Sequence, residues 1–141
     1  MQIDRLKRTA YGVLAAIAVT LAFEALPSGL SSDLVMKRLG GYFYVWPAIY
    51  GLPKIFVAMF VGAYVARGKF VVPAVVLSVI GWSFAVHFLN QIAQAAGQHN
   101  LTDVAAMNAV GLLIQTGGAV LGAIAGYRFY LGRNKSTVSA I

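Results

Sequence analysis

The chain has 141 residues, 60% of them hydrophobic and only 11% charged, where a soluble domain carries about 25% charged residues. One domain fits this length, and a soluble domain so apolar would expose large aggregating patches, so lipid is the expected solvent. The net charge of +7 is scattered through short loops with no nucleic-acid motif, which excludes nucleic acid as the partner; the absence of cysteine excludes disulfides, thiolate catalysis, iron–sulfur clusters and cysteine-based zinc sites.

Arg5-Leu6-Lys7-Arg8 before the apolar run from Ala10 to Phe23 has the layout of a signal peptide or signal anchor. Cleavage after Ala25 would put Phe23 where a small residue is wanted, so an uncleaved anchor is expected. Segment one runs from about Ala10 to Leu26 and stops at Pro27-Ser28-Gly29. Its length gives roughly 26 Å of helix, enough to cross the apolar core of a bilayer. Glu24 lies in its last turn or two.

Ser31 to Gly41 carries helix signals of its own: Ser31 or Ser32 as cap, Asp33 in the first turn, Lys37 and Arg38 in the last, then Gly40-Gly41. One or two turns in the membrane interface are expected here. Tyr42, Phe43, Tyr44, Trp46 and Tyr50 follow, and Tyr and Trp favour the headgroup level. Pro47, Gly51 and Pro53 punctuate this stretch. Two readings stay open. One is a kinked span; the other is an interfacial or re-entrant aromatic piece followed by a shorter helix from Leu52 to Arg67, with Pro53 in its first turn.

Arg67-Gly68-Lys69 is a tight basic turn. Segment three runs from about Phe70 to Gln94 and turns polar at its far end with His87, Asn90, Gln91 and Gln94. A polar loop leads to Thr102 or Asp103, either of which can cap segment four, from about Val104 to Leu131. The expected fold is therefore an all-α, polytopic membrane protein: a four-transmembrane-helix bundle with a short interfacial or re-entrant aromatic segment before the second span. Residues 1–131 form the single transmembrane domain, and 132–141 a short mobile cytoplasmic tail.

Lys and Arg orient the bundle. Arg5, Lys7, Arg8, Arg67, Lys69, Arg128, Arg133 and Lys135 fall on one side, against Lys37, Arg38 and Lys54 on the other. This asymmetry expects a multi-pass protein of the inner membrane with both termini cytoplasmic.

That topology sets the candidate ligand-binding or proton-coupled residues at related depths: Glu24, Lys54, His87, Asn90, Gln91, Asn108 and Gln115. An ionisable group inside a span is expensive and is a functional candidate by default. Ser83, His87, Asn90/Gln91 and Gln94 share one helical face, expected to point into the bundle. Pro53-Lys54 at a helix start would aim a positive dipole end and an ammonium at one spot, suited to a carboxylate or phosphate. Equally, Glu24 can pair with Lys54, His87 can bond Asn or Gln, and the cluster can serve only to hold helices together; Lys54 can also snorkel to the headgroups.

Gly118, Gly122 and Gly126 recur every four residues, and Asn108, Gly111, Gln115, Gly118 and Gly122 follow one stripe. Small residues let backbones approach, within the monomer or between copies. No zinc-protease spacing, phosphate-binding loop or serine-hydrolase arrangement occurs, so no metal, cofactor or catalytic residue is expected. The residues favour a transport or lipid-handling protein that binds an anionic or amphipathic ligand in a polar pocket on the outer side. A non-catalytic accessory or assembly subunit and a membrane enzyme acting on a lipid headgroup are the alternatives. The expected partners are the bilayer, an anionic or lipid ligand, and a second copy or another membrane protein. Reporter fusions after Arg67 and at the C-terminus should give cytoplasmic signal, and fusions after Gly29 and Gln98 periplasmic signal; cytoplasmic activity at Gln98 would reject this topology.

Overall fold

The structure is a computed structural model that describes residues 2–25, 45–95 and 101–138. The expected interfacial turn at 31–41 and the aromatics Tyr42, Phe43 and Tyr44 lie outside the described residues. The described chain is all-helical: α1 (Gln2–Ala25), α2 (Val45–Ala66), α3 (Val71–Ala95) and α4 (Leu101–Val138). Three stretches, Ile3–Phe23, Val71–Gln91 and Asn108–Arg133, are long and apolar enough to cross a membrane, and α2 adds the shorter apolar stretch Gly51–Ala66.

The helices run further than their punctuation suggests. α2 is one helix from Val45, through Gly51, with Pro53 inside it. Pro53 removes a single intrahelical donor, and packing on two sides of α2 holds the helix across that gap. Lys54 is consequently well inside α2 rather than at a helix start, so no helix N-terminus is aimed beside it. α4 continues past the expected end at Leu131 to Val138. Nothing after Gly132 breaks a helix, and Arg133 is tied to α2 by a 3.1 Å hydrogen bond to the Tyr64 hydroxyl. The tight turn at Arg67-Gly68 is present; Arg67 takes a positive φ of 52°, and its N–H bonds the Tyr64 carbonyl at 3.3 Å.

α2 packs against α1 and α4, and α4 also packs against α3. The α1/α2 crossing is antiparallel and made by two glycines facing each other. A Cβ on Gly12 would stand 2.6 Å from the Gly62 carbonyl oxygen, and one on Gly62 would stand 2.9 Å from the Gly12 carbonyl oxygen. Phe70, which opens the way into α3, seals this crossing, with ring atoms 2.9 and 2.8 Å from those same two positions.

α2 and α4 are parallel, and their contacts advance in step. Gly118 faces Leu52 and Ile55, Gly122 faces the Phe56 carbonyl, and Gly126 faces the Phe60 carbonyl. At Gly122 and Gly126 any side chain would overlap the opposing backbone. Contacts this close bring Cα–H groups against carbonyl oxygens, a weak attraction that recurs at helix–helix interfaces.

The core that results is built of small residues. Ala16, Met59, Ala63, Ala66, Phe70, Ala74, Ala119 and Ala123 form one buried cluster. The large apolar side chains point the other way: Phe84 and Leu113 are each 73% exposed, and Leu14, Leu21, Val72, Phe88 and Leu121 are exposed too. Small residues inside and bulky apolar residues outside is the distribution expected when the surrounding solvent is hydrocarbon.

Gly122→Ile should therefore wreck the α2/α4 seam, because neither backbone has anywhere to retreat. Its melting temperature in detergent should fall sharply, while Gly117→Ala, with open space around it, should melt like the parent. Equal melting of Gly122→Ile and parent would mean that the seam is not the packing contact described.

Candidate functional site

The polar residues of the apolar helices fall into two groups at different depths. The first is on α2 and the facing turn of α4. Lys54 is half-buried, one turn from Gly51, and between Leu52 and Phe56, which face Gly118 and Gly122. It therefore sits level with the middle of the Asn108–Arg133 stretch of α4 and near the start of α2's own apolar stretch, Gly51–Ala66. Gln115 is also half-buried, and its amide nitrogen lies 3.8 Å from the point where a Cβ on Gly51 would stand. Glu24 belongs to α1 two turns beyond Ala16, which packs on Gly62. The antiparallel register brings that turn of α1 level with the turn holding Lys54. The Glu24 side chain lies outside the described residues.

The second group gathers at the α3/α4 hairpin. Trp82 Nε1 donates to the Asn108 carbonyl at 3.1 Å, locking the two helices. Asn108 precedes Gly118 by nearly three turns, on the order of 15 Å of helix. Asn90 is buried at 6% exposure, and its Oδ1 has no hydrogen-bond partner. Ser78, three turns earlier on the same face, is 1% exposed and its Oγ is also without a partner. Three hydroxyls are satisfied on their own helices: Thr9 bonds the Arg5 carbonyl at 3.0 Å, Thr20 the Ala16 carbonyl at 2.9 Å and Ser83 the Val79 carbonyl at 2.8 Å.

The polar face of α3 does not point into the bundle as a unit. Ala74, Ser78, Val86 and Asn90, spaced by whole turns, form the buried face. Ser83, His87, Gln91 and Gln94 are exposed. A stripe about 100° around the helix from the small buried residues is turned outward by them. His87 Nε2 and Gln91 Nε2 meet at 3.1 Å, so these two satisfy each other across one turn. The structure thus brings together His87 with Gln91, and Gln115 with Gly51, one turn from Lys54. It does not bring His87 to the level of Lys54.

Gly111, Gly118, Gly122 and Gly126 are all buried. Two further features stand outside the residues singled out above. One is the Gly12/Gly62 crossing with Phe70, which the small residues of Gly12-xxx-Ala16 and Ala58-xxx-Gly62-xxx-Ala66 announce by spacing. The other is a pocket of about 340 Å³ at the basic end of the bundle, lined by Tyr64, Val65, Arg67, Tyr130 and Arg133. Among the described residues, no group of three or more His, Asp or Glu side chains could hold a metal ion.

The fold and these placements define a small all-helical bundle of the membrane-spanning kind, with three helices able to cross and a shorter apolar fourth. No protein family, curated protein or solved structure matches the chain.

An orphaned buried hydroxyl costs about 1–3 kcal/mol. Ser78→Ala should therefore raise the melting temperature in detergent, whereas Trp82→Phe, which deletes the bond to the Asn108 carbonyl, should lower it. A destabilised Ser78→Ala would mean that the hydroxyl has a partner in solution.

Proposed function

We propose that this chain is a non-enzymatic inner-membrane protein, with both termini in the cytoplasm, that transports or handles an anionic or amphipathic ligand through a polar site around Lys54. The observation that carries this reading is Lys54, a half-buried cation within the apolar stretch Gly51–Ala66 of α2. An ionisable group inside such a stretch is costly and is a functional candidate by default. Gln115 supplies an amide on the facing helix, and Pro53 leaves one carbonyl of α2 without its helical donor. An acidic headgroup or a carboxylate reaching this level of α2 would find the Lys54 ammonium and, one turn away beside Gly51, the Gln115 amide. The gathering of Arg5, Lys7, Arg8, Arg67, Lys69, Arg128 and Arg133 at the end where α1 begins and α2 ends supports the orientation.

A second reading, a non-catalytic accessory subunit, is favoured by a different observation. Ser83, His87, Gln91 and Gln94 form an exposed polar stripe on a helix that otherwise presents Phe84 and Phe88 outward. Such a stripe suits a facing helix of a second copy or another membrane protein. A lipid-headgroup enzyme would need Glu24 and His87 to work as a pair, and the separate depths of α1's last turns and the α3/α4 hairpin speak against it.

The two leading readings part at Lys54→Met. Native mass spectrometry of the gently purified parent should show a retained acidic lipid or amphiphile, and Lys54→Met should lose it while melting within a few degrees of the parent. A subunit whose Lys54 only glues helices should instead be destabilised by about 3–5 kcal/mol, since removing one member of a buried pair strands the other. Destabilisation with no change in bound mass rejects the ligand-handling reading.

A further inference from the structure

The pocket at the basic end carries an inference independent of the Lys54 site. Its walls are two guanidiniums, two phenols and one valine: Arg67, Arg133, Tyr64, Tyr130 and Val65. Arg133 Nη1 donates to the Tyr64 hydroxyl at 3.1 Å, which anchors one guanidinium at the rim. Tyr64 in turn is held by aromatic neighbours on α4, with ring centroids 5.9 Å from Phe129 and 6.3 Å from Tyr130. The site is thus built on rigid helix ends.

Arg67 is the residue that gives the pocket away. It sits in the left-handed region at φ 52°, a conformation that costs a non-glycine residue roughly 1–2 kcal/mol. The following residue, Gly68, is the type that would take it freely. A residue held in a sparsely populated conformation beside a cleft points from strain to function. Here the strained residue brings a second arginine into the lining that Arg133 shares.

The depth of the pocket names the ligand class. The Asn108–Arg133 span and the apolar stretch of α2 both end here, so the pocket lies at the boundary between hydrocarbon and headgroups. Arg forks match phosphate oxygens in pairs, and phenols at this level add donors. Val65 and Phe129, both exposed, continue apolar surface away from the pocket into the span, where acyl chains would lie. We propose that Arg67 and Arg133 clamp the phosphate of an acidic phospholipid headgroup in this pocket, with Tyr64 and Tyr130 as donors and the acyl chains along Val65 and Phe129. Basic pockets between helices on the cytoplasmic side are a general means of holding such headgroups.

The test uses the full chain in a mild detergent and native mass spectrometry with titrated lipid. Phosphatidylglycerol should bind the parent in preference to phosphatidylcholine, and inorganic phosphate at millimolar concentration should not displace it. The Arg67→Gln/Arg133→Gln double variant should bind phosphatidylglycerol about tenfold more weakly, the scale of one or two charge-assisted hydrogen bonds lost. Lys69→Gln, which keeps the pocket walls, should bind like the parent. Arg67→Gly separates binding from folding: it relieves the backbone strain, so it should melt at or above the parent temperature while its phosphatidylglycerol affinity still falls severalfold. Parent-like lipid binding by Arg67→Gly, or by the double variant, overturns the proposal. Displacement by inorganic phosphate overturns the lipid assignment and makes the pocket a site for a soluble phosphate.

Discussion

The bundle depends on backbone meeting backbone. At Gly122 and Gly126 the carbonyls of Phe56 and Phe60 occupy the space of a side chain, and at Gly12 and Gly62 each backbone does the same to the other. In water, helices are driven together by hiding large apolar side chains. In lipid that force is absent, since hydrocarbon solvates leucine as well as a protein does. What remains is close dispersion contact and weak Cα–H bonding, and both need the helix axes to approach. The alanine-rich core, with Phe70 and Ser78 as its largest fully buried side chains, follows from that requirement. So does the outward display of Phe84, Leu113 and Leu121.

A core this tight has little room for polar groups, and those present are arranged by necessity. Hydroxyls fold back on their own helices, as Thr20 and Ser83 do. His87 and Gln91 settle each other's valences one turn apart. Trp82 reaches across to a carbonyl of α4. Against that thrift, the partnerless Oγ of Ser78 and Oδ1 of Asn90 stand out. Both are on α3, so they do not draw on the chemistry around Lys54.

Much of the fold was legible in composition and spacing. Four apolar runs, the Arg67-Gly68-Lys69 turn and the four-residue glycine period each reflect a physical cost that sequence cannot hide. Helix ends were harder. Pro53 reads either as a kink in one span or as a first-turn start, and the helix that runs on both sides of it matches the first reading. The far end of α4 reads as a tail because Arg133, Asn134 and Lys135 are polar, yet helicity outside the apolar span needs only an anchor, and Tyr64 supplies one. The polar stripe of α3 reads as an inward face, because a polar stripe facing lipid is costly. The buried face of α3 is instead the adjacent series Ala74, Ser78, Val86 and Asn90. The basic pocket was invisible in sequence, since its residues come from positions 64 to 67 and 130 to 133 and meet only through the parallel register.

The division of roles across the α2/α4 seam also has a meaning for biogenesis. Chains enter the membrane from the N-terminus, so α2 is inserted while α4 does not yet exist. Until then the side of α2 destined for α4 must face lipid, and it carries Leu52, Ile55, Phe56 and Phe60, residues that hydrocarbon accepts without penalty. The glycines, which would leave bare backbone facing acyl chains, are on α4, the last helix to be made, and find their cover as soon as it inserts. Knobs on the early helix and holes on the late one let α2 wait in the bilayer with no bare backbone on its seam face, and make arrival of α4 the step that closes that seam.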